Sequence, residues 1–246
     1  MFDMLLLVAA TATAAPPDAA GILARADRVR ASWEEAVIRL RATVPGKAGE
    51  PASAEFEVAV KGQSSVIRFQ GADAGKVFLS VGSDAWLILP TARNPIKVPK
   101  SHRLRGGFGA ADVAATRFSE AYDAVVERSD ELDGRTCDVL RLTEKKGMHP
   151  SYPVLRVWVD RKEGLYRKTV FLLPSGKTAK EATFDSYKPY RGVLSVERMT
   201  VVDALKPGKT VIEYLDYEKK QLPDALFDAK TYLKTPNPSP SARKSP

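Results

Sequence analysis

The chain is poor in the residues that most catalytic and metal-binding proteins depend on. It has one cysteine and two histidines in 246 residues. A single thiol cannot build a disulfide framework, and it cannot complete a Cys₂His₂ or Cys₄ zinc module. His102 and His149 lie far apart, each in a loop-like context, with no Cys or carboxylate at metal-ligand spacing. Both read as surface imidazoles. Cys137 falls in the strand-like stretch Thr136–Leu140 and reads as a structural thiol rather than a nucleophile. Gly106, Gly107 and Gly109 lack the strand-to-helix setting and the Lys-Ser/Thr of a phosphate loop. The acid pairs Glu34-Glu35 and Asp130-Glu131 read as solvated charge. These absences predict a protein that binds rather than catalyses, with no cofactor and no metal. Long apolar runs are also missing. Met4 to Ala10 falls well short of the roughly 20 residues needed to cross a bilayer.

That run, followed by small residues up to Ala15, reads instead as an export signal spanning 1–15, although Asp3 is unusual ahead of it. No Cys follows, so the mature protein is expected to carry no lipid anchor. The chain has 38 Lys+Arg against 30 Asp+Glu, for a net charge of +8. A basic excess favours anionic partners, whether lipid head groups or nucleic acid. The last thirteen residues, 234–246, contain four prolines and no apolar run, and read as a disordered tail.

Between these ends the pattern is one domain, 16–233. Asp18 stands where a helix cap belongs, and Ile22, Ala26, Val29, Trp33 and Ala36 form an apolar stripe behind it. Arg25, Arg28 and Arg30 are expected on the wet side of that helix. Alternation then changes to period two, beginning with 38–44 and 56–61, and recurs in about eleven strands up to residue 218. Asp133-Gly134 and other short turn signals make consecutive strands antiparallel, because a parallel crossover needs a dozen or more residues. Residues 101–121 interrupt the strands. There, a glycine-rich approach and a helical face containing Val113, Phe118 and Ala121 suggest a lid. Several strands are apolar at both parities, including Val77–Val81, Trp86–Leu89 and Leu155–Val159. Such strands are covered on both sides. The cover is either a well-filled core or the wall of an apolar cavity. The densest acid-free basic stretch, Arg93, Lys97, Lys100, Arg103 and Arg105, sits just before the lid. It contains no aromatic platform for stacking bases, so nucleic acid is not expected.

The segment Asp84–Lys97, with Trp86-Leu87-Ile88-Leu89-Pro90 followed by Arg93, Pro95 and Lys97, resembles the WLYLP-x-x-R-x-P-x-[RK] signature of the outer-membrane lipoprotein-sorting proteins, relatives of the periplasmic carrier LolA. Tyr122-Asp123-Ala124, Asp133–Leu140, Val157–Asp160 with Gly164-Leu165, Arg198–Asp203 and Leu222–Phe227 match that family in order and spacing. The resemblance spans roughly residues 20 to 234. It implies an unclosed antiparallel β-barrel around a hydrophobic cavity, with the N-terminal helix and the inserted helix as plug and lid. It also implies a monomeric periplasmic protein that carries lipoprotein or other lipid cargo between an inner-membrane transporter and an outer-membrane acceptor, touching membranes transiently. On this reading the cavity and lid residues are Leu40, Phe56, Val58, Leu79, Trp86, Ile88, Val113, Phe118, Trp158 and Phe171. Arg93, Lys97, Arg103 and Arg105 would meet head groups or a partner at the mouth. The alternative on the same scaffold is a lipid- or lipoprotein-sensing module that regulates an envelope complex. A lipid hydrolase is disfavoured by the missing nucleophile and base.

Overall fold

A computed structural model describes residues 18–46, 50–105, 108–109, 117–204 and 208–234. The expected export signal, Val113 with most of the inserted helix, and residues 235–246 of the expected tail lie outside the described residues.

The chain opens with helix α1 (Ala19–Arg30), whose first turn is fixed by the Asp18 carboxylate accepting the Gly21 amide at 2.8 Å. Arg28 and Arg30 occupy its last turn, where cations complement the helix dipole. The helix is shorter than the apolar stripe suggests. Ala36 already belongs to β1. Arg30 does not face water either: it is buried, with its guanidinium 4.3 Å from the centre of the Phe118 ring.

The strands form two meanders. The first runs through β1 (Glu35–Pro45), β2 (Pro51–Lys61), β3 (Ser64–Phe69), β4 (Val77–Val81), β5 (Asp84–Ile88) and β6 (Ile96–Lys97). A small ladder, β7 (Arg103–Arg105) with β8 (Phe108–Gly109), follows where the sequence suggests a glycine-rich approach. After α2 (Phe118–Ala121), the second meander runs through β9 (Tyr122–Leu132), β10 (Arg135–Glu144), β11 (Val154–Asp160), β12 (Tyr166–Leu172), β13 (Thr178–Tyr190), β14 (Val193–Asp203) and β15 (Lys209–Lys219). Antiparallel pairing of β1 with β15 joins them into one sheet of thirteen strands, with β6 and β9 at its edges. The sheet is not closed, as expected for an unclosed barrel. Asp133 and Gly134, both at positive φ, make the expected two-residue hairpin between β9 and β10.

One cluster of buried side chains draws members from β1–β5 and from β9–β15, so the sheet curls around a shared interior. Helix α1 lies in that interior and buries Ile22, Leu23 and Ala26 against it. The outer face is covered separately. After β15 the chain turns back as a strap, made of a 3₁₀ turn (Asp224–Phe227) and α3 (Thr231–Lys234). Leu222, Leu226, Phe227 and Tyr232 pack on the outer side chains of β2–β5. Lys61 pins the strap through the Leu222 carbonyl at 2.9 Å and Asp224 at 2.8 Å.

Candidate functional site

Strand register sets the size of the side chains on the inner face. Across β1–β5 one transverse row reads Leu40, Phe56, Phe69, and the next reads Ile38, Val58, Ile67, Phe78, Leu87. The row after that reads Ala36, Val60, Ser65, Ser80, Ala85. The inner face thus tapers from aromatic and branched residues to serine and alanine. A cavity of 280 Å³ opens where the small residues lie.

The far wall of this cavity comes from the other end of the sheet. Phe118 and Ala121 of α2, Tyr122 at the start of β9, the loop 147–152 and Phe171 of β12 face Ser65 and Ser80. The cavity therefore lies between the β3–β4 flank of the sheet and the wall built by α2, the start of β9 and the loop 147–152. Its aromatic wall is tightly assembled. Phe118 meets Tyr122 edge-on at 5.9 Å, and Tyr152 meets Phe171 at 5.2 Å. The Tyr122 hydroxyl donates to the Tyr152 carbonyl at 2.8 Å, and burial pushes that phenol well above its usual value. The Lys180 ammonium sits 4.5 Å from the Phe171 ring centre and 5.0 Å from that of Tyr152.

Among the described residues, two cations and no carboxylate contribute to the lining: Lys100 and Arg117. Burial draws the Lys100 ammonium below its ordinary value, with Asp84 acting weakly the other way. Arg117 lies 3.5 Å from both Glu34 and Glu120.

Asp27, on the buried side of α1, ties the helix to this wall. Its carboxylate accepts the Phe118 amide at 3.0 Å, the Ser119 amide at 2.7 Å and the Tyr166 hydroxyl at 2.9 Å. An acid inside a core is tolerated because three donors replace its water. α2 is therefore held by α1 as well as by the sheet.

The sequence-derived site residues separate onto different faces. Leu40, Phe56, Val58, Phe118 and Phe171 lie in the inner cluster, and of these Phe118 and Phe171 line the cavity. Leu79, Trp86 and Ile88 lie on the outer face under the strap, so they do not line it. Trp158 also points outward, packed with Cys137, Val139, Val170 and Leu172. Its indole donates to Asp130 at 2.9 Å, and Arg128 and Lys168 cover its ring. Both outward placements follow from pleat: Phe78 and Val157 take the inner side, so their neighbours take the outer one. Val113 lies outside the described residues. Among the expected mouth cations, Arg93 is exposed, and Lys97 is exposed and paired with Asp84 at 2.7 Å. Arg103 and Arg105 belong to β7, and their side chains lie outside the described set.

Sequence reasoning passed over Lys100, Arg117, Tyr122 and Tyr152 as lining residues. Lys100 stood inside the acid-free stretch. The others carried no signal, since their approach to β3 and β4 depends on the curl of the sheet.

His102 stacks on Phe78 at 6.1 Å, and His149 is exposed in a turn. Cys137 is fully buried, and burial pushes its thiol up to about 11. Among the described residues no three His, Cys, Asp or Glu side chains group as metal ligands. No helix among them is long and apolar enough to cross a membrane.

A family model whose description is "Uncharacterized protein" matches residues 61–235. No curated protein matches the chain. Solved structures do. A LolA superfamily protein from Nitrosomonas europaea is 25% identical, with TM-score 0.78, covering 86% of this chain and 98% of its own. A protein domain from Vibrio parahaemolyticus that bears an outer-membrane lipoprotein-sorting name is 20% identical, with TM-score 0.71, covering 87% and 98%. A DUF1329 family protein from Desulfovibrio piger is 19% identical, with TM-score 0.72, covering 87% and 97%. The matched family model covers more than half of the chain, which belongs to that family, and the near-complete mutual coverage with the Nitrosomonas europaea protein, together with the unclosed thirteen-stranded sheet, shows the LolA superfamily fold.

Proposed function

We propose that this protein is a periplasmic carrier that takes up acyl chains of lipoproteins or other lipids and ferries them from an inner-membrane transporter to an outer-membrane acceptor, without catalysis. The observation that carries this reading is the 280 Å³ cavity, walled on one side by Phe118, Tyr122, Tyr152 and Phe171 and on the other by the β3–β4 flank of a LolA superfamily fold. Exposing an acyl chain to water costs about 0.8 kcal/mol per methylene, so a chain of about sixteen carbons needs a shelter worth on the order of 13 kcal/mol. An exported protein with an apolar recess supplies one. The packed interior behind the recess, which fixes the shape of the sheet, fits cargo binding.

The test is a cavity block. Ser80 is half-buried in the floor of the recess, and Ser80→Phe fills it from the sheet side. Binding of a fluorescent fatty-acid probe is expected to fall by at least about tenfold while the protein remains folded. Unaltered probe binding by folded Ser80→Phe protein would show that cargo sits elsewhere and remove the cavity from the proposal.

A further inference from the structure

The cavity has a polarity that its apolar wall does not explain. Among the described residues its lining contains Lys100 and Arg117 and no acid. Arg117 already faces two carboxylates, Glu34 and Glu120. Lys100 is different. Among the described residues no hydrogen bond or ion pair engages its ammonium, and the nearby acid, Asp84, is taken by Lys97 at 2.7 Å. Burial penalises its charge, a penalty that an incoming anion would offset. The hydroxyls of Ser65, Ser80 and Ser83 line the same side of the recess and can donate to an oxyanion. The opposite wall is aromatic.

Size narrows the occupant further. A recess of 280 Å³ is at the small end of ligand pockets, the scale of one medium-length acyl chain.

From these features, and resting on the carrier reading above, we infer that the cavity selects a single-chain anionic amphiphile. Its carboxylate or phosphate head sits at Lys100 among the serine hydroxyls, and its chain lies against Phe118, Tyr122, Tyr152 and Phe171. The selectivity comes from pairing a half-desolvated cation, since a neutral head would leave Lys100 buried without compensation.

Calorimetric titration of the full chain with dodecanoate, dodecyl phosphate, dodecanol and inorganic phosphate tests this. The two anionic amphiphiles should bind about tenfold or more tighter than dodecanol, and inorganic phosphate should bind too weakly to measure. Lys100→Met should bring dodecanoate down to the affinity of dodecanol, and Lys100→Arg should restore most of the difference. Equal binding of dodecanoate and dodecanol by the unmodified protein overturns the head-group inference and leaves the carrier reading in place. That comparison needs no variant to fold. Inorganic phosphate binding as tightly as dodecyl phosphate would overturn the amphiphile and leave a plain anion site. Failure of every amphiphile to bind overturns both this inference and the carrier reading.

Discussion

The centre and the flank of the sheet solve the same packing problem in opposite ways. At the centre, where β14, β15 and β1 meet beneath the end of α1, the inner face is filled by tyrosines. Tyr217 stacks with Tyr214 at 5.6 Å and leans on Tyr190 at 4.7 Å, with Trp33 alongside at 6.5 Å. Their polar ends are placed: the Tyr217 hydroxyl donates to the Val196 carbonyl at 3.0 Å, and that of Tyr190 to the Tyr214 carbonyl. At the flank, the neighbouring row through Ala36 and Val60 ends in Ser65, Ser80 and Ala85, and space remains. On the proposed carrier function, the rigid region holds the curl and the underfilled one holds cargo.

Four substitutions sharpen that contrast. The largest effect is expected at the centre. Tyr217→Ala removes a fully buried ring and should cost about 3–5 kcal/mol, read as a shifted urea midpoint. Ser80→Phe at the flank should move the same midpoint by less than about 1 kcal/mol. If both variants cost the same, the two regions are packed alike and the contrast is lost.

The junction between the regions comes next. Asp27→Ala leaves the Phe118 and Ser119 amides and the Tyr166 hydroxyl without their acceptor, a loss of about 2–3 kcal/mol. Hydrogen exchange at those two amides should speed up more than exchange at the β14 amides. A uniform increase would mean that Asp27 supports the whole fold rather than the seat of α2.

The smallest effect belongs to the outer hairpin, which touches neither region. Asp160 is buried there and accepts the Lys162 and Glu163 amides at 2.9 and 3.0 Å, with Arg167 at 2.9 Å and Arg135 at 3.1 Å. Burial alone would raise this carboxyl, but the amides and the two arginines outweigh it and leave it below the usual carboxylate range. A carboxyl depressed on folding contributes stability that is present above its unfolded pKa and lost as pH falls through its folded one. Acid should therefore weaken the protein through Asp160, and Asp160→Asn should flatten the slope of stability against pH below the unfolded carboxylate value. An unchanged slope would assign acid sensitivity to other carboxyls. Probe binding at neutral pH should be untouched.

Much of the fold was legible because alternation and turn chemistry are local. The strands from Phe56 to Tyr217, the Asp133-Gly134 hairpin and the Asp18 cap are each decided by a few neighbouring residues. Double-sided burial was also legible, yet what covers each side was not. Leu79, Trp86 and Ile88 are buried by Leu222, Leu226 and Phe227, far along the chain, and no pattern at β4 or β5 announces that. Arg30 was misjudged for a related reason: its partner ring, Phe118, comes from the inserted segment. The cavity depended on register. Ser65 and Ser80 are ordinary strand serines until pairing sets them opposite each other on the inner face.

The central claim is that the underfilled flank carries a lipid. Native mass spectrometry of the protein purified from its native source, with extraction of whatever is bound, tests it most directly. The account predicts a stoichiometric acylated species, displaced in the Ser80→Phe variant. Recovery of protein free of lipid, or holding a protein partner with no acyl group, would contradict it.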